Sequence, residues 1–403
     1  MSIPVSSSIA TATSAARNGL NHTRSWALRS VAACLLLCST SAFADKTRVV
    51  AWGGEAGNRN LDIPYSLDDA VAVAVPFVLR ANGDVIEIGA MPPVVRAGNA
   101  KAIAADGDCL VVLRRNGTVA TVGSDPSCPA AVQAGLSGVV AIAVGGDFAL
   151  ALTADGHVVA WGGNGSGQTD VPAGLSDVVA IEAGRSHALA LRADGQVVAW
   201  GGNIDGELDL PAGLSDVVAI DVGNAYNQAL RSDGTVVAWG DSYEYPRPVP
   251  ADLPPARALG AGKWRQAAVV LRDGTLREWG FQEGKALPPG LGNVLRLSMG
   301  YTVNFALVAG AITPRQAIAD MRVDLDALLA IEDEHRSALN SYLDAAASAV
   351  QAGDEPMACE QMRLFAALVA APGVILYADR VTYFVAQSRD VRRLIGCPRW
   401  RDA

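Results

Sequence analysis

Aromatic residues make up only 6% of this 403-residue chain, charged residues 18%, and histidine occurs 4 times. So little histidine leaves few means for acid–base or metal chemistry. His22, His157, His187 and His335 are scattered, and none belongs to a His-x-x-x-His or Cys/His metal spacing. The chain also lacks a Gly-x-Ser-x-Gly elbow and a phosphate loop; Gly162, Gly163, Gly165 and Gly167 link apolar runs instead of opening a helix. No catalytic residues, metal or cofactor are therefore expected, although a ring can bring distant carboxylates together. Asn203-Ile-Asp-Gly-Glu-Leu-Asp209 carries oxygen ligands for calcium but lacks the full loop, and reads as a solvated turn. Basic runs are missing too. Lys plus Arg number 32 against 41 Asp plus Glu, and basic residues cluster no further than pairs such as Arg114-Arg115 and Arg392-Arg393, which argues against nucleic-acid binding.

What is present begins with a leader. Arg24 and Arg29 precede the apolar stretch Val31-Ala-Ala-Cys-Leu-Leu-Leu-Cys38 and the small-residue end Ala42-Phe43-Ala44, the order of a secretory signal peptide over residues 1–44. The stretch from Val31 to Ala44 is too short to cross about 30 Å of hydrocarbon as a helix, so no stable membrane insertion is expected after processing. A periplasmic or secreted protein follows. Residues 1–44 hold three arginines and no acid, so their removal takes the net charge from −9 to −12. In an oxidising compartment the remaining cysteines have local partners, giving Cys109–Cys128 and Cys359–Cys397 as the expected disulfides against the alternative of buried free thiols.

A repeat organises the middle. Asp155-Gly-His-Val-Val-Ala-Trp-Gly-Gly-Asn164, Asp194-Gly-Gln-Val-Val-Ala-Trp-Gly-Gly-Asn203 and Asp233-Gly-Thr-Val-Val-Ala-Trp-Gly-Asp241 follow one another at a fixed period, and Asp273-Gly-Thr-Leu-Arg-Glu-Trp-Gly280 comes one residue later. Degenerate copies begin at Asn116 and Asn82. Asp-Gly or Asn-Gly between apolar runs predicts a hairpin with a type I′ turn, positive φ at both central residues. A sheet-sized unit at this period points to a β-propeller rather than a helical solenoid. Six complete copies lie between Asn82 and Gly280; Arg48–Gly53 supplies an orphan strand, and Val294–Val308 lacks its last one. Joined, the fragments make a seventh blade, so residues 45–310 are expected to form a seven-bladed propeller closed by strand 48–53. Trp52, Trp161, Trp200, Trp239 and Trp279 recur once per blade and read as packing positions.

The apolar run, Gly, short loop, Ala-Leu-x-Leu, Asp-Gly, Val-Val-Ala-Trp-Gly-x-Asn and Gly167-Gln-Thr-Asp-Val-Pro172 together resemble the regulator-of-chromosome-condensation repeat across about residues 46–310. The resemblance implies a seven-bladed ring whose loops carry the function. In length and phrasing the chain is similar to the secreted bacterial propellers that inhibit β-lactamases. These bind with aromatic residues just before the Ala-Leu-x-Leu run, a column that falls here on Asp147, Ser186, Ala225, Gln266 and Thr302. Around it stand the candidate partner contacts Asp147, Arg185, Tyr226, Lys263, Trp264, Arg265 and Tyr301, chosen because Trp, Tyr and Arg dominate protein interfaces. The alternative for Phe148, His187 and Tyr226 is that they turn inward between blades. The expected function is non-catalytic binding of a protein partner through loops on one face. A glycan-binding or glycan-active propeller and a β-lactamase-inhibitor-like protein are the alternatives.

After Gly310 helical periodicity replaces the turn signals. Thr313-Pro-Arg-Gln316 is a capping box with Pro at the first helical position. Apolar residues then recur at three-to-four spacing to Gly353, and Asp354 opens a further helix. Residues 311–403 are expected to form a small α-helical bundle; its stretch from Leu339 to Cys397 resembles the FIMAH-type module of exported bacterial proteins.

Overall fold

The computed structural model describes residues 46–53, 63–64, 67–89, 94–123, 128–129, 132, 135–240, 248–263, 266–280, 287–288, 291–301, 303–326, 331, 333–371, 374 and 378–398. Seven antiparallel sheets succeed one another. Blade 1 is β2 (Ala70–Ala74), β3 (Phe77–Arg80), β4 (Val85–Glu87) and β5 (Val94–Ala97). Blade 2 is β6 (Ala100–Asp106), β7 (Cys109–Arg114) and β8 (Val119–Val122); blade 3 is β9 (Val139–Gly145), β10 (Phe148–Thr153) and β11 (Val158–Gly162). Blade 4 comprises β12 (Val178–Ala183), β13 (His187–Arg192) and β14 (Val197–Gly201), and blade 5 comprises β15 (Val217–Val222), β16 (Tyr226–Arg231) and β17 (Val236–Gly240). Blade 6 holds β18 (Ala256–Ala261), β19 (Gln266–Leu271) and β20 (Leu276–Gly280). Blade 7 takes β21 (Val294–Met299) and β22 (Val303–Ala309) from the end of the ring and β1 (Thr47–Gly53) from its beginning, paired from Thr47↔Ala309 to Gly53↔Val303.

The first strand of each blade abuts the first strand of the next: β2, β6, β9, β12, β15, β18 and β21 follow in turn, and β21 meets β2 again. The ring is a seven-bladed β-propeller. Its apolar core lies between neighbouring blades, as where Phe148, Leu150, Ile181, Ala188 and Trp200 pack together. Trp52, Trp161, Trp200, Trp239 and Trp279 are all buried, on the third strand of their blades. Trp200 Nε1 donates to Gln168 O and Trp239 Nε1 to Glu207 O, both at 3.0 Å, so each ring nitrogen holds down the link arriving from the previous blade.

The hairpin turns correct one expectation. Gly156, Gly195, Gly234 and Gly274 have positive φ, between 82° and 95°, but the preceding aspartates do not. Gly156 N donates to Thr153 O and Thr153 N to His157 O, the pattern of a type I turn followed by a left-handed glycine, not type I′. Aspartate is favoured there because its side chain accepts from the amide two residues on, as Asp233 Oδ1 does from Thr235 N at 2.8 Å.

Among the described residues four helices follow the ring: α1 (Pro314–Asp326), α2 (Asp333–Ala352), α3 (Glu355–Val369) and α4 (Ala378–Ile395). Gln316 N donates to Thr313 Oγ1 at 3.2 Å, and Asp354 caps α3 by accepting from Met357 N. Ile318, Met321, Leu339, Leu343, Phe365 and Phe384 are among the residues of their shared core. Both local cysteine pairs are joined, Cys109–Cys128 and Cys359–Cys397, with Cα separations of 5.2 and 5.7 Å. The helical unit touches the ring where Gln387 Nε2 donates to Ile63 O at 2.9 Å. Among the described residues no helix is long and apolar enough to cross a membrane.

Candidate functional site

The first three strands follow the same order in every blade, so all turns from first to second strand lie at one end of the ring. These are the turns at Pro76, Gly107, Asp147, Arg185, Asn224, Lys263 and Tyr301. The Asp-Gly hairpins lie at the other end. Outgoing links fold back over the first set, Gly163 N donating to Asp147 O and Gly202 N to Ser186 O. Asp147 and Arg185 are exposed on this face, and Tyr301 is 41% exposed. Asp147 Oδ1 accepts from Gln168 Nε2 at 3.2 Å, which ties its turn to the link outside it.

Tyr226 is a correction: it is only 2% exposed and cannot be a contact. It occupies the repeat position of Phe148 and His187, also buried, and its side chain crosses to the next blade. There its hydroxyl donates to Gln266 O and accepts from Gly262 N at 2.9 Å. Gly223 makes room for the ring, since a Cβ on Gly223 would stand 2.1 Å from Tyr226 Cε1. Trp264 and Arg265 lie outside the described residues.

Lys263 turns inward. Its side chain is 12% exposed, and Nζ stands 3.6 Å from Asp106 Oδ2, itself on a side chain 6% exposed. Lys263 belongs to blade 6 and Asp106 to blade 2, so the pair spans the axis. Beside it stand Glu182 in β12 and Asp221 in β15, which occupy equivalent positions one repeat apart and both feel the Lys263 ammonium. Burial pushes the Glu182 carboxyl well above the ordinary range; the Asp221 charge adds to this and Lys263 opposes it. Burial likewise raises Asp221 to about 6, against the amides of Ala261 and Val222 and against Lys263. Burial and the nearby Asp106 charge raise the Tyr301 phenol, while Asn224 and Arg185 oppose the shift.

Three polar groups on first strands accept from an amide of the next blade: Asp106 Oδ2 from Gly146 N, Asp221 Oδ2 from Ala261 N, and Ser298 Oγ from Val75 N. The amide corresponding to Glu182 is Val222 N, and Asp221 Oδ1 already takes it at 2.8 Å. Sequence reasoning missed Asp106, Glu182 and Asp221. The available signal was an acid in a column otherwise filled by Ala104, Ala143, Gly260 and Ser298, or, for Asp106, where other blades carry Gly145, Gly184, Gly223, Gly262 and Gly300.

Elsewhere the polar groups are occupied with one another. His187 Nε2 lies 2.8 Å from Asn227 Oδ1, and Asn227 Nδ2 donates to Glu207 O, so Nε2 carries the proton. Burial lowers His187 to about 4. In the Asn203–Asp209 loop, Asn203 Oδ1 accepts from Leu208 N and Glu207 Oε2 from Asp205 N, which spends both groups on closing the turn. Among the described residues no group of three His, Cys, Asp or Glu is placed to hold a metal ion. A shallow cleft of about 520 Å³ between α1 and α2 is lined by Arg322, Arg336 and Asp344; Arg322 and Asp344 are paired there and Arg336 holds Leu325 O.

The regulator of chromosome condensation (RCC1) repeat family matches residues 139–168 and 178–207, the segments that run from β9 to the link after β11 and from β12 to the link after β14. The match covers blades 3 and 4 of the β-propeller. Prp20p of Saccharomyces cerevisiae, studied with its binding properties to Gsp1p and histones, is similar in structure with a TM-score of 0.55 and 15% identity over 70% of this chain and 95% of its own. Yeast RCC1 (Prp20) bound to Kap60 gives a TM-score of 0.53 and 15% identity over 80% of this chain and 99% of its own. At this identity the likeness is one of fold. No curated protein matches the sequence.

Proposed function

We propose that the protein is exported and that its RCC1-repeat ring binds a protein partner, without catalysis, through the face bearing Asp147, Arg185 and Tyr301. The observation that carries this reading is the exposed Tyr301 phenol standing at the mouth of the ring, with Arg185 and the Lys263–Asp106 pair beside it. An amphipathic ring next to a guanidinium and a partly desolvated ion pair is the composition of an interface centre. Prp20p shares the fold and binds proteins, which agrees with a binding role. Export is supported by the leader pattern of residues 1–44 and by the two cysteine pairs. On this reading the helical unit is a second module of an exported chain.

The test immobilises the chain from Asp45 onward and captures envelope and culture-medium proteins. It is repeated with an Arg185→Glu/Tyr301→Ala variant and with an Asp155→Ala/Asp194→Ala variant altered at the opposite end. A partner kept by the wild type and the second variant and lost by the first is the expected result. Equal retention by all three, or loss only from the second, overturns the choice of face; turnover of a glycan or peptide overturns the absence of catalysis.

A further inference from the structure

Among the described residues asparagine precedes glycine at Asn82-Gly83, Asn116-Gly117 and Asn164-Gly165. In such a step the backbone nitrogen that follows the asparagine readily reaches its side-chain carbonyl carbon, because glycine has no Cβ to obstruct the approach. In the hairpins of blades 1 and 2 that nitrogen is engaged: Gly83 N donates to Arg80 O and Gly117 N to Arg114 O, both at 2.9 Å. Gly165 differs. It lies in the exposed link after β11, its N donates no hydrogen bond among the described residues, and nothing stands within 4 Å of where a Cβ would be. The Asn164 side chain is held beside it at both ends. Its Oδ1 accepts from Thr169 N at 3.0 Å, and its Nδ2 donates to Asp170 Oδ1 at 2.8 Å. The first of these bonds polarises the Asn164 carbonyl and stabilises the negative charge that develops on Oδ1 when Cγ is attacked.

The geometry points to Asn164 as a modification site, deamidated by the attack of Gly165 N with water as the only co-reactant. Gly165 N gives its proton to water and forms a bond to Asn164 Cγ; the Cγ–Nδ2 bond breaks, and Nδ2 takes a proton from water and leaves as ammonia. Water then opens the cyclic imide and restores the Gly165 N–H. Opening at Cγ gives aspartate, and opening at the Asn164 backbone carbonyl gives isoaspartate. The aspartate product turns a tie into a repulsion, because the new carboxylate meets Asp170 where an amide nitrogen stood 2.8 Å from Oδ1. The link that changes lies over the turn at Asp147, to which Gly163 N and Gln168 Nε2 donate. The reaction stands whether or not that face binds a partner. The link after β14 supplies an internal contrast. Leu208 N donates to Asn203 Oδ1 and Asn203 Nδ2 to Asp209 Oδ1 in the same way, but the following residue is Ile204, whose branched side chain obstructs the attack.

The test incubates the chain from Asp45 onward in neutral buffer and maps its peptides by mass spectrometry, with isoaspartate separated from aspartate by chromatography. Asn164 is expected to convert about tenfold faster than Asn82 and Asn116, the share of the backbone hydrogen bond that those two steps must first break. Asn203 is expected to keep its amide. In urea the three Asn-Gly steps are expected to convert alike, since the fold no longer separates them. Gly165→Ile, which copies the link of blade 4, is expected to stop the reaction at Asn164 and leave the melting temperature unchanged. Asn164→Asp, which makes the product directly, is expected to speed amide exchange across residues 165–170. The proposal is overturned if Asn164 keeps its amide throughout, if the three steps convert equally in the folded chain, or if Gly165→Ile converts as fast as wild type. Unchanged amide exchange in Asn164→Asp overturns the loosening of the link.

Discussion

Replacing Asp221 by Asn changes how stability depends on pH, in a way that isolates the axial mouth. Burial raises this carboxyl from 3.8 to about 6, so the folded protein holds a proton that the unfolded chain has released between those values. A group shifted in this direction stabilises the fold at low pH, and the contribution is lost as pH rises from about 4 to about 6. Two units correspond to about 3 kcal/mol, and partial exposure to solvent screens this to roughly 2 kcal/mol. The substitution also has a cost that does not vary with pH. Asp221 accepts from Ala261 N and Val222 N with different oxygens, and an amide can satisfy only one, a loss of about 1–3 kcal/mol. Asp221→Asn is therefore expected to be less stable than wild type near pH 4.5 and to recover by roughly 2 kcal/mol near pH 7.5. Urea unfolding followed by circular dichroism at several pH values measures the difference. His187 titrates in the opposite sense, but it is common to both proteins and cancels. A constant difference between wild type and variant across this range refutes the reasoning.

His187, lowered by burial to about 4, contributes stability that is complete above its ordinary value of 6.5 and lost as pH falls toward 4. His187→Phe, the residue that blade 3 uses at the same position, is expected to remove that acid destabilisation, about 2 kcal/mol between pH 4.5 and 7, as read from unfolding at the two values. Trp52→Ala on β1 is expected to cost about 3–5 kcal/mol, because it empties a buried site and removes the bond from Nε1 to Glu278 Oε1. A melting temperature unchanged by Trp52→Ala shows that the closing strand is not held by this side chain.

The number of blades was legible in the sequence because each blade is a local antiparallel unit. In all but the closing blade the strands follow one another directly, and the hairpin glycine recurs at a near-constant spacing, joined by a tryptophan in five of the seven blades. Even the closure could be read, since an orphan strand at one end and an incomplete unit at the other leave two matching edges. The helical unit announced itself through its caps and through Gly353. The turn type was misread because Asp-Gly satisfies two geometries, and only the backbone distinguishes an aspartate that accepts a local amide from one with positive φ.

The axial site was decided by tertiary structure. Asp106, Lys263 and Tyr301 come from blades 2, 6 and 7, and sequence spacing carries no information about groups that meet across a ring. Tyr226 and Tyr301 look alike as aromatic residues beside the same turn. One lies on the second strand facing the next blade and is buried; the other lies in the turn itself and is exposed. The contrast between Asp221 and Glu182 depends on a single methylene and on a neighbour having already claimed an amide. The sequence by itself determined the repeating unit and its count, because local hydrogen bonding and periodic burial are encoded residue by residue. Only the closed ring decided which of its side chains share an axis and which of those are left without a partner.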